Sequence, residues 1–182
     1  EWKSSRRVWC MRTIVTGGAG FIGSHLVERL LALGHEVRVL DNLSTGQFAN
    51  LAAVSGNSNL VFHQVDLVEL ESIQGAFKGV DAVFHLGALA DIVPSIQSPL
   101  AYFHANVHGT GNVLEAARAA NVSRLIYVAS SSCYGIPDVY PTPESEPVRP
   151  QYPYALTKYL GEELVFHWGK VYGLPVVSLR LF

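Results

Sequence analysis

The sequence predicts an α/β fold on a parallel, doubly wound sheet, and three observations carry that prediction. Six short apolar runs alternate with four helical patterns. A glycine-spaced turn, Thr16-Gly17-Gly18-Ala19-Gly20-Phe21-Ile22-Gly23, joins the first apolar run to the first helical pattern. An aspartate, Asp41, closes the second apolar run. Strands that alternate with helices pair in parallel through right-handed crossovers, with the predicted strand order 3-2-1-4-5-6.

Taken in order, strands are expected at 11–16, 36–41, 60–64, 80–86, 124–130 and 175–181. Each is short and rich in Val, Ile, Leu or Phe, as suits a sheet covered on both faces. Helical periodicity fills 21–33, 68–77, 100–120 and 153–172, and a proline-dense irregular stretch occupies 131–151. Residues Glu1 to Cys10, with two tryptophans and three positive charges but no periodicity, read as an appended or disordered lead-in ahead of Met11. They lack the apolar segment of a signal peptide. Residues 11–182 are expected to form one domain.

The glycine turn is read as a dinucleotide-binding loop of the Rossmann type. Gly17 permits the backbone angles of a tight turn, Gly20 lets main chain approach a pyrophosphate, and Gly23 lets helix and strand pack closely. The helix N-terminus then offers free N–H groups and partial positive charge to phosphate. Asp41, 18 residues beyond Gly23, stands where a carboxylate would accept the adenosine ribose hydroxyls. It would repel a 2′-phosphate, so NAD is favoured over NADP. The alternative is that Asp41 caps a turn at the strand end. Asn42, Leu43 and Ser44 would continue around the adenosine, and Asp66 and Leu67 would meet the adenine edge. Leu86, Gly87 and Ala88 end strand four with little bulk, leaving room for the cofactor or simply packing the core. Asn106, within the long fourth helix, either holds backbone near the strand ends or faces solvent.

Composition narrows the function classes. The net charge is −2 with dispersed basic residues, which gives no footprint for a nucleic acid. No apolar run approaches the ~20 residues that span a membrane. The two cysteines, Cys10 and Cys133, form no disulfide framework, as suits a reducing cytoplasm. Of the seven histidines, His104 and His108 share a helical face, but no neighbouring carboxylate or cysteine completes a metal set.

Chemistry is expected at Ser130, Tyr154 and Lys158. Tyr154 and Lys158 stand four apart on one helical face. An ammonium beside a phenol favours phenolate, lowering its pKa from about 10. Such a tyrosine can take a proton from a sugar hydroxyl, and Ser130 at the end of strand five can hydrogen-bond the same oxygen. A Tyr/Lys pair alone is commonly just surface; the serine and the dinucleotide loop together reverse that weighting.

These residues, with Asp41-Asn42-Leu43, Asn106-Val107-x-Gly109-Thr110, Ser130-Ser131-Ser132-Cys133-Tyr134-Gly135 and Tyr154-Ala155-Leu156-Thr157-Lys158, resemble the extended short-chain dehydrogenase/reductases. More closely, Met11 to Phe182 is similar to the NAD-dependent nucleotide-sugar epimerases of the UDP-galactose 4-epimerase type. The resemblance implies that Tyr154 is the general base, that Lys158 binds the nicotinamide ribose and tunes Tyr154, and that Ser130 positions the reacting hydroxyl. It also implies that Phe21, Ile22, Asp41, Asn42, Asp66, Leu67, Leu86 and Asn106 hold NAD. The implied reaction oxidises the sugar at C4, turns the 4-keto sugar in the site and returns hydride to its other face.

Three departures bear on this. The chain stops at Phe182, where the family continues into a substrate-binding region, so a C-terminal substrate region is expected to be absent. Related dehydratases carry an acidic pair where Ser131 and Ser132 stand, which disfavours dehydration. Asp91 occupies a place where many such epimerases have a small polar residue. It would disfavour an acidic sugar if it faced the site. Other NAD-dependent sugar dehydrogenases or dehydratases, or an NAD-binding fragment without activity, are the alternatives. A homodimer through the helices near 100–120 and 153–172 is expected, because Leu164, Val165, Phe166, Trp168, Val171 and Tyr172 give the second helix more apolar surface than one face uses.

Overall fold

A computed structural model describes residues 10–182; the expected lead-in at 1–10 lies almost wholly outside these residues, only Cys10 being described, exposed and without secondary structure. The sheet has six parallel strands: β1 (Arg12–Thr16), β2 (Glu36–Asp41), β3 (Leu60–Gln64), β4 (Ala82–His85), β5 (Arg124–Ser130) and β6 (Val176–Leu181). Their order, β3-β2-β1-β4-β5-β6, is the predicted one. The reversal between β1 and β4 opens a crevice at the carboxyl ends of the strands.

Helices cover both faces. On one side α1 (Phe21–Ala32) packs Val27, Leu30 and Leu31 onto Val15, Val37 and Val39. On the other, α5 (Gly109–Ala119) and α6 (Pro153–Tyr172) bury Val113, Leu114 and Val165 against Ile14, Val83, Leu125 and Tyr127. Each of these side chains contributes roughly 1.5–3 kcal/mol by leaving water. The short α2 (Leu70–Ile73) continues as a 3₁₀ turn through Phe77.

The expected single helix at 100–120 is divided. It begins as α4 (Pro99–Phe103), widens to a π-helical turn over His104–His108 and continues as α5. Proline at its first turn suits a position whose N–H has no helical partner. The π turn is where Asn106 points inward. Periodicity could not announce this, because one extra residue in a turn leaves the flanking 3.6 pattern nearly intact. The short α3 (Ile92–Gln97) and a 3₁₀ segment at Phe48–Val54 were not expected at all.

Candidate functional site

The turn after β1 is built as the glycines require. Gly17 has φ +67°, and a Cβ there would lie 2.8 Å from Gly87 Cα. A Cβ on Gly23 would approach the Gly17 carbonyl oxygen to 2.1 Å, so α1 can meet the loop only through glycine. Gly20 precedes α1, whose N-terminus has no side-chain cap and no acidic residue in its first turn. Among the described residues its first-turn N–H groups therefore meet no side-chain cap, as a phosphate-binding end requires. Phe21 and Ile22 are exposed there.

A cleft of about 1010 Å³ runs across the strand ends. Gly17, Gly20, Phe21, Ile22, Gly23, Asp41, Asn42, Ser44, Asp66, Leu67, Leu86, Gly87, Ala88, Ser130, Tyr154 and Lys158 all line it. Two expected residues do not. Leu43, with φ +61°, packs its side chain toward the α1 core instead of the cleft. Asn106 is buried behind the cleft wall and clamps Leu89, accepting its N–H at 2.7 Å and donating to its carbonyl at 3.0 Å. A third bond runs from the same amide to Thr157 Oγ1 at 3.0 Å, tying the β4 loop to α6. Asp91 is exposed and does not line the cleft, although its neighbours Leu89 and Ala90 do.

Asp41 is buried at the end of β2, lines the cleft and caps the turn that follows. Its carboxylate accepts the Ala19 N–H at 2.9 Å and the Leu43 N–H at 2.8 Å. A carboxylate has about four lone-pair sites, so these bonds fix its position and leave capacity toward the cleft. Asp66 is oriented in the same way, by Asn42 at 2.9 Å and the Val68 N–H at 3.1 Å. The glycine cradle, the uncapped helix end and a fixed carboxylate at the end of β2 form a donor and acceptor set that fits an adenine dinucleotide.

The other end of the cleft holds the polar side chains expected to carry chemistry. Ser130 caps a 3₁₀ turn (Ser131–Tyr134), and its hydroxyl shares a hydrogen bond with Ser132 at 2.8 Å. Tyr154 is half-buried on the first turn of α6, with its ring 6.5 Å from that of Tyr102, edge to face. Lys158, one turn on, is buried, and its Nζ lies 4.3 Å from the centroid of the Tyr127 ring. Burial pushes the Lys158 ammonium down to about 7, with Glu162 pulling the other way. Glu162 is itself held by Arg180 (2.7 Å) and Ser178 (2.6 Å), which joins α6 to β6.

Sequence reasoning missed the layer beneath these groups. Tyr127, His85, Thr16 and Thr110 are all buried under the cleft floor, and Tyr102 donates its hydroxyl to the Ala90 carbonyl. The signal for His85 was present: a histidine within the apolar stretch Ala82 to Leu86. His104 and His108 are exposed and stack at 5.1 Å, and His104 lines the cleft.

Comparison with known proteins agrees with this geometry. The model of the NAD dependent epimerase/dehydratase family matches residues 13–182. UDP-glucose 4-epimerase of Mycolicibacterium smegmatis is 42% identical over 167 residues, covering 90% of this chain and 53% of that protein. The crystal structure of Thermus thermophilus UDP-glucose 4-epimerase complexed with NAD superposes with a TM-score of 0.86 at 41% identity, over 93% of this chain and 54% of the other. A dTDP-glucose 4,6-dehydratase from Streptomyces venezuelae, solved with NAD bound, gives 0.90 at 37% identity, over 93% and 55%. The chain spans about half the length of the curated relatives it matches.

Proposed function

We propose, since the chain belongs to the NAD dependent epimerase/dehydratase family, that its whole protein is an NAD-using nucleotide-sugar 4-epimerase acting on a UDP-linked sugar. The observation that carries this reading is a single cleft lined by the Gly17 loop, Asp41, Ser130, Tyr154 and Lys158. Residues 11–182 then form its cofactor domain, and the substrate's nucleotide and much of the sugar are held by a region outside this chain.

NAD, when bound, supplies a hydride acceptor and donor. The chain's residues do the rest. Gly17, Gly20 and the first turn of α1 take the pyrophosphate, and Asp41 takes the ribose hydroxyls. Tyr154 removes the C4 hydroxyl proton and later returns it, with Ser130 hydrogen-bonded to the same oxygen. Lys158, one turn beyond Tyr154 on α6, holds the nicotinamide ribose.

A dehydratase is the competing reading, since a dTDP-glucose 4,6-dehydratase is among the similar structures. Eliminating water calls for a further acid and base at the sugar, and Ser131 and Ser132 supply neither. Incubating the full-length protein with UDP-glucose and its N-acetyl analogue tests the choice. Formation of the C4 epimer without net NADH supports the epimerase; a dehydrated keto sugar or stoichiometric NADH overturns it.

The protein is further proposed to be a cytoplasmic homodimer. Among the described residues no helix is long and apolar enough to cross a membrane. On α6, Val165 is buried, while Leu164 and Trp168 pack against the core, so the surplus is smaller than the sequence suggested. Phe166, Val171 and Tyr172 are about half exposed, and a groove lined by Phe103, Val107, Leu160 and Phe166 lies between the two long helices. Light scattering of the full-length protein tests this; a strictly monomeric mass at high concentration overturns it.

A further inference from the structure

His85 is buried behind the cleft floor and has no part in the mechanism above. Both of its ring nitrogens are engaged. Nδ1 lies 2.7 Å from Thr16 Oγ1, and Nε2 lies 2.9 Å from Thr110 Oγ1. The Thr16 oxygen also accepts the N–H groups of Leu86 at 3.1 Å and Gly87 at 3.0 Å. A threonine hydroxyl has two lone pairs and one proton. The Leu86 N–H is shared with the Thr16 carbonyl at 3.2 Å, so Thr16 Oγ1 accepts one full and one shared backbone donor and meets His85 with its own proton, Nδ1 being the acceptor. On the other side Thr110 donates to the Asn106 carbonyl at 2.6 Å. Its oxygen is left to accept, so the ring proton sits on Nε2.

We infer that His85 is a positioning residue, held as the neutral Nε2-protonated tautomer, whose partner Thr16 sets the backbone at Leu86 and Gly87, where the cleft receives the dinucleotide, while its partner Thr110 ties the ring to the Asn106 carbonyl. An imidazolium would aim a third N–H at Thr16 and leave the hydroxyl proton without an acceptor. The placement matters because Gly87 abuts Gly17: a Cβ on Gly87 would lie 3.3 Å from the Gly17 nitrogen, and 2.7 Å from Leu67. Through Thr110 and Asn106, the same ring is linked to Leu89 further along that loop. The titratable groups facing it are Tyr127 from β5, at 5.5 Å between ring centroids, and Lys158 from α6. A neutral His85 leaves Lys158, among the described residues, as the cation facing that ring. Burial and the Lys158 charge both oppose protonation of His85, pushing it down to about 3.

The tautomer stands without the cofactor reading; the positioning role rests on it. In ¹⁵N-labelled full-length protein, long-range ¹H–¹⁵N correlation reads the histidine tautomers, with the His85 signals identified by their loss in His85→Asn. The expected result is the Nε2–H pattern, unchanged between about pH 5 and 8. An Nδ1–H or imidazolium pattern overturns the inference. NAD titration then separates positioning from mere packing. His85→Asn, whose amide oxygen can still accept from Thr16, is expected to bind within about threefold of the parent. His85→Phe, which has no acceptor, is expected to bind about tenfold or more weakly per folded molecule. Thr16→Val removes the same bridge from its other end, serves if the Phe variant does not fold, and is expected to weaken NAD equally. Parental NAD affinity in the Phe or Val variant overturns the positioning role. A parent that binds no NAD overturns the cofactor reading and the positioning role with it, while the spectrum alone decides the tautomer.

Discussion

Lys158 and Tyr127 hold each other twice. The Lys158 Nζ lies 4.3 Å from the centroid of the Tyr127 ring, and the Tyr127 hydroxyl donates to the Lys158 carbonyl at 3.1 Å. One contact is a cation over an aromatic face, which offsets part of the cost of burying the ammonium. The other pins the backbone of α6 to β5. The phenol cannot ionise usefully there: burial raises Tyr127 well above the ordinary tyrosine range. It acts as a floor beneath the lysine, and Gly161 is what lets α6 come so close, since a Cβ there would lie 2.4 Å from the Tyr127 hydroxyl.

Gly161→Ala should therefore displace Tyr127 and lower stability by about 1–3 kcal/mol, the usual cost of overpacking. Gly111→Ala on α5, where a Cβ meets nothing within 4 Å, should be neutral or add about 0.5–1 kcal/mol through helix propensity. Urea unfolding of both variants checks the contrast; equal effects would show that the Tyr127 contact is soft.

Tyr154→Phe in the full-length protein should lose activity on the order of a hundredfold or more while retaining NAD. The ring and its edge contact with Tyr102 are kept, so only the hydroxyl is removed. Steady-state rates with a UDP-sugar, alongside an NAD titration, give the answer. A near-parental rate removes Tyr154 from the acid/base role.

Asp41→Ala should weaken NAD and narrow its preference over NADP. The bonds to Ala19 and Leu43 add a second effect, because the alanine also frees the loop that Asp41 ties down. Asp41→Asn keeps one acceptor oxygen and should lie between the parent and the alanine variant. Titrating both cofactors against all three proteins tests the order, and tighter NADP than NAD in the parent would sink the idea.

Stability should fall in acid through His85. Its folded pKa is depressed to about 3 from the ordinary 6.5. Between those values the unfolded chain binds the proton and the folded one does not, so unfolding gains about 1.4 kcal/mol for each pH unit lost. Denaturant unfolding across pH 6.5 to 4 should show that increment in the parent and lack it in His85→Asn. Parallel pH slopes in the two proteins would count against a neutral, buried His85.

Sequence by itself determined the strand order and the outline of the cleft. Six apolar runs, each close to its observed strand, left the parallel doubly wound arrangement as the one that covers both sheet faces. Spacing alone put Gly17, Gly20, Gly23 and Asp41 at neighbouring strand ends, and Tyr154 and Lys158 on one helical face, because local geometry fixes those relations. What only the tertiary structure decided were contacts across elements. Asn106 could have faced solvent or backbone; a π turn aims it at Leu89 and Thr157. Leu43 follows Asp41 and Asn42 in sequence, yet its left-handed backbone turns the side chain to the core. Thr16, His85 and Thr110 lie on separate elements, and nothing in their spacing announces that they share hydrogen bonds. Periodicity reports which face of an element is buried; a partner from a distant strand is set by packing, where a buried polar group must find its complement or cost the fold its stability.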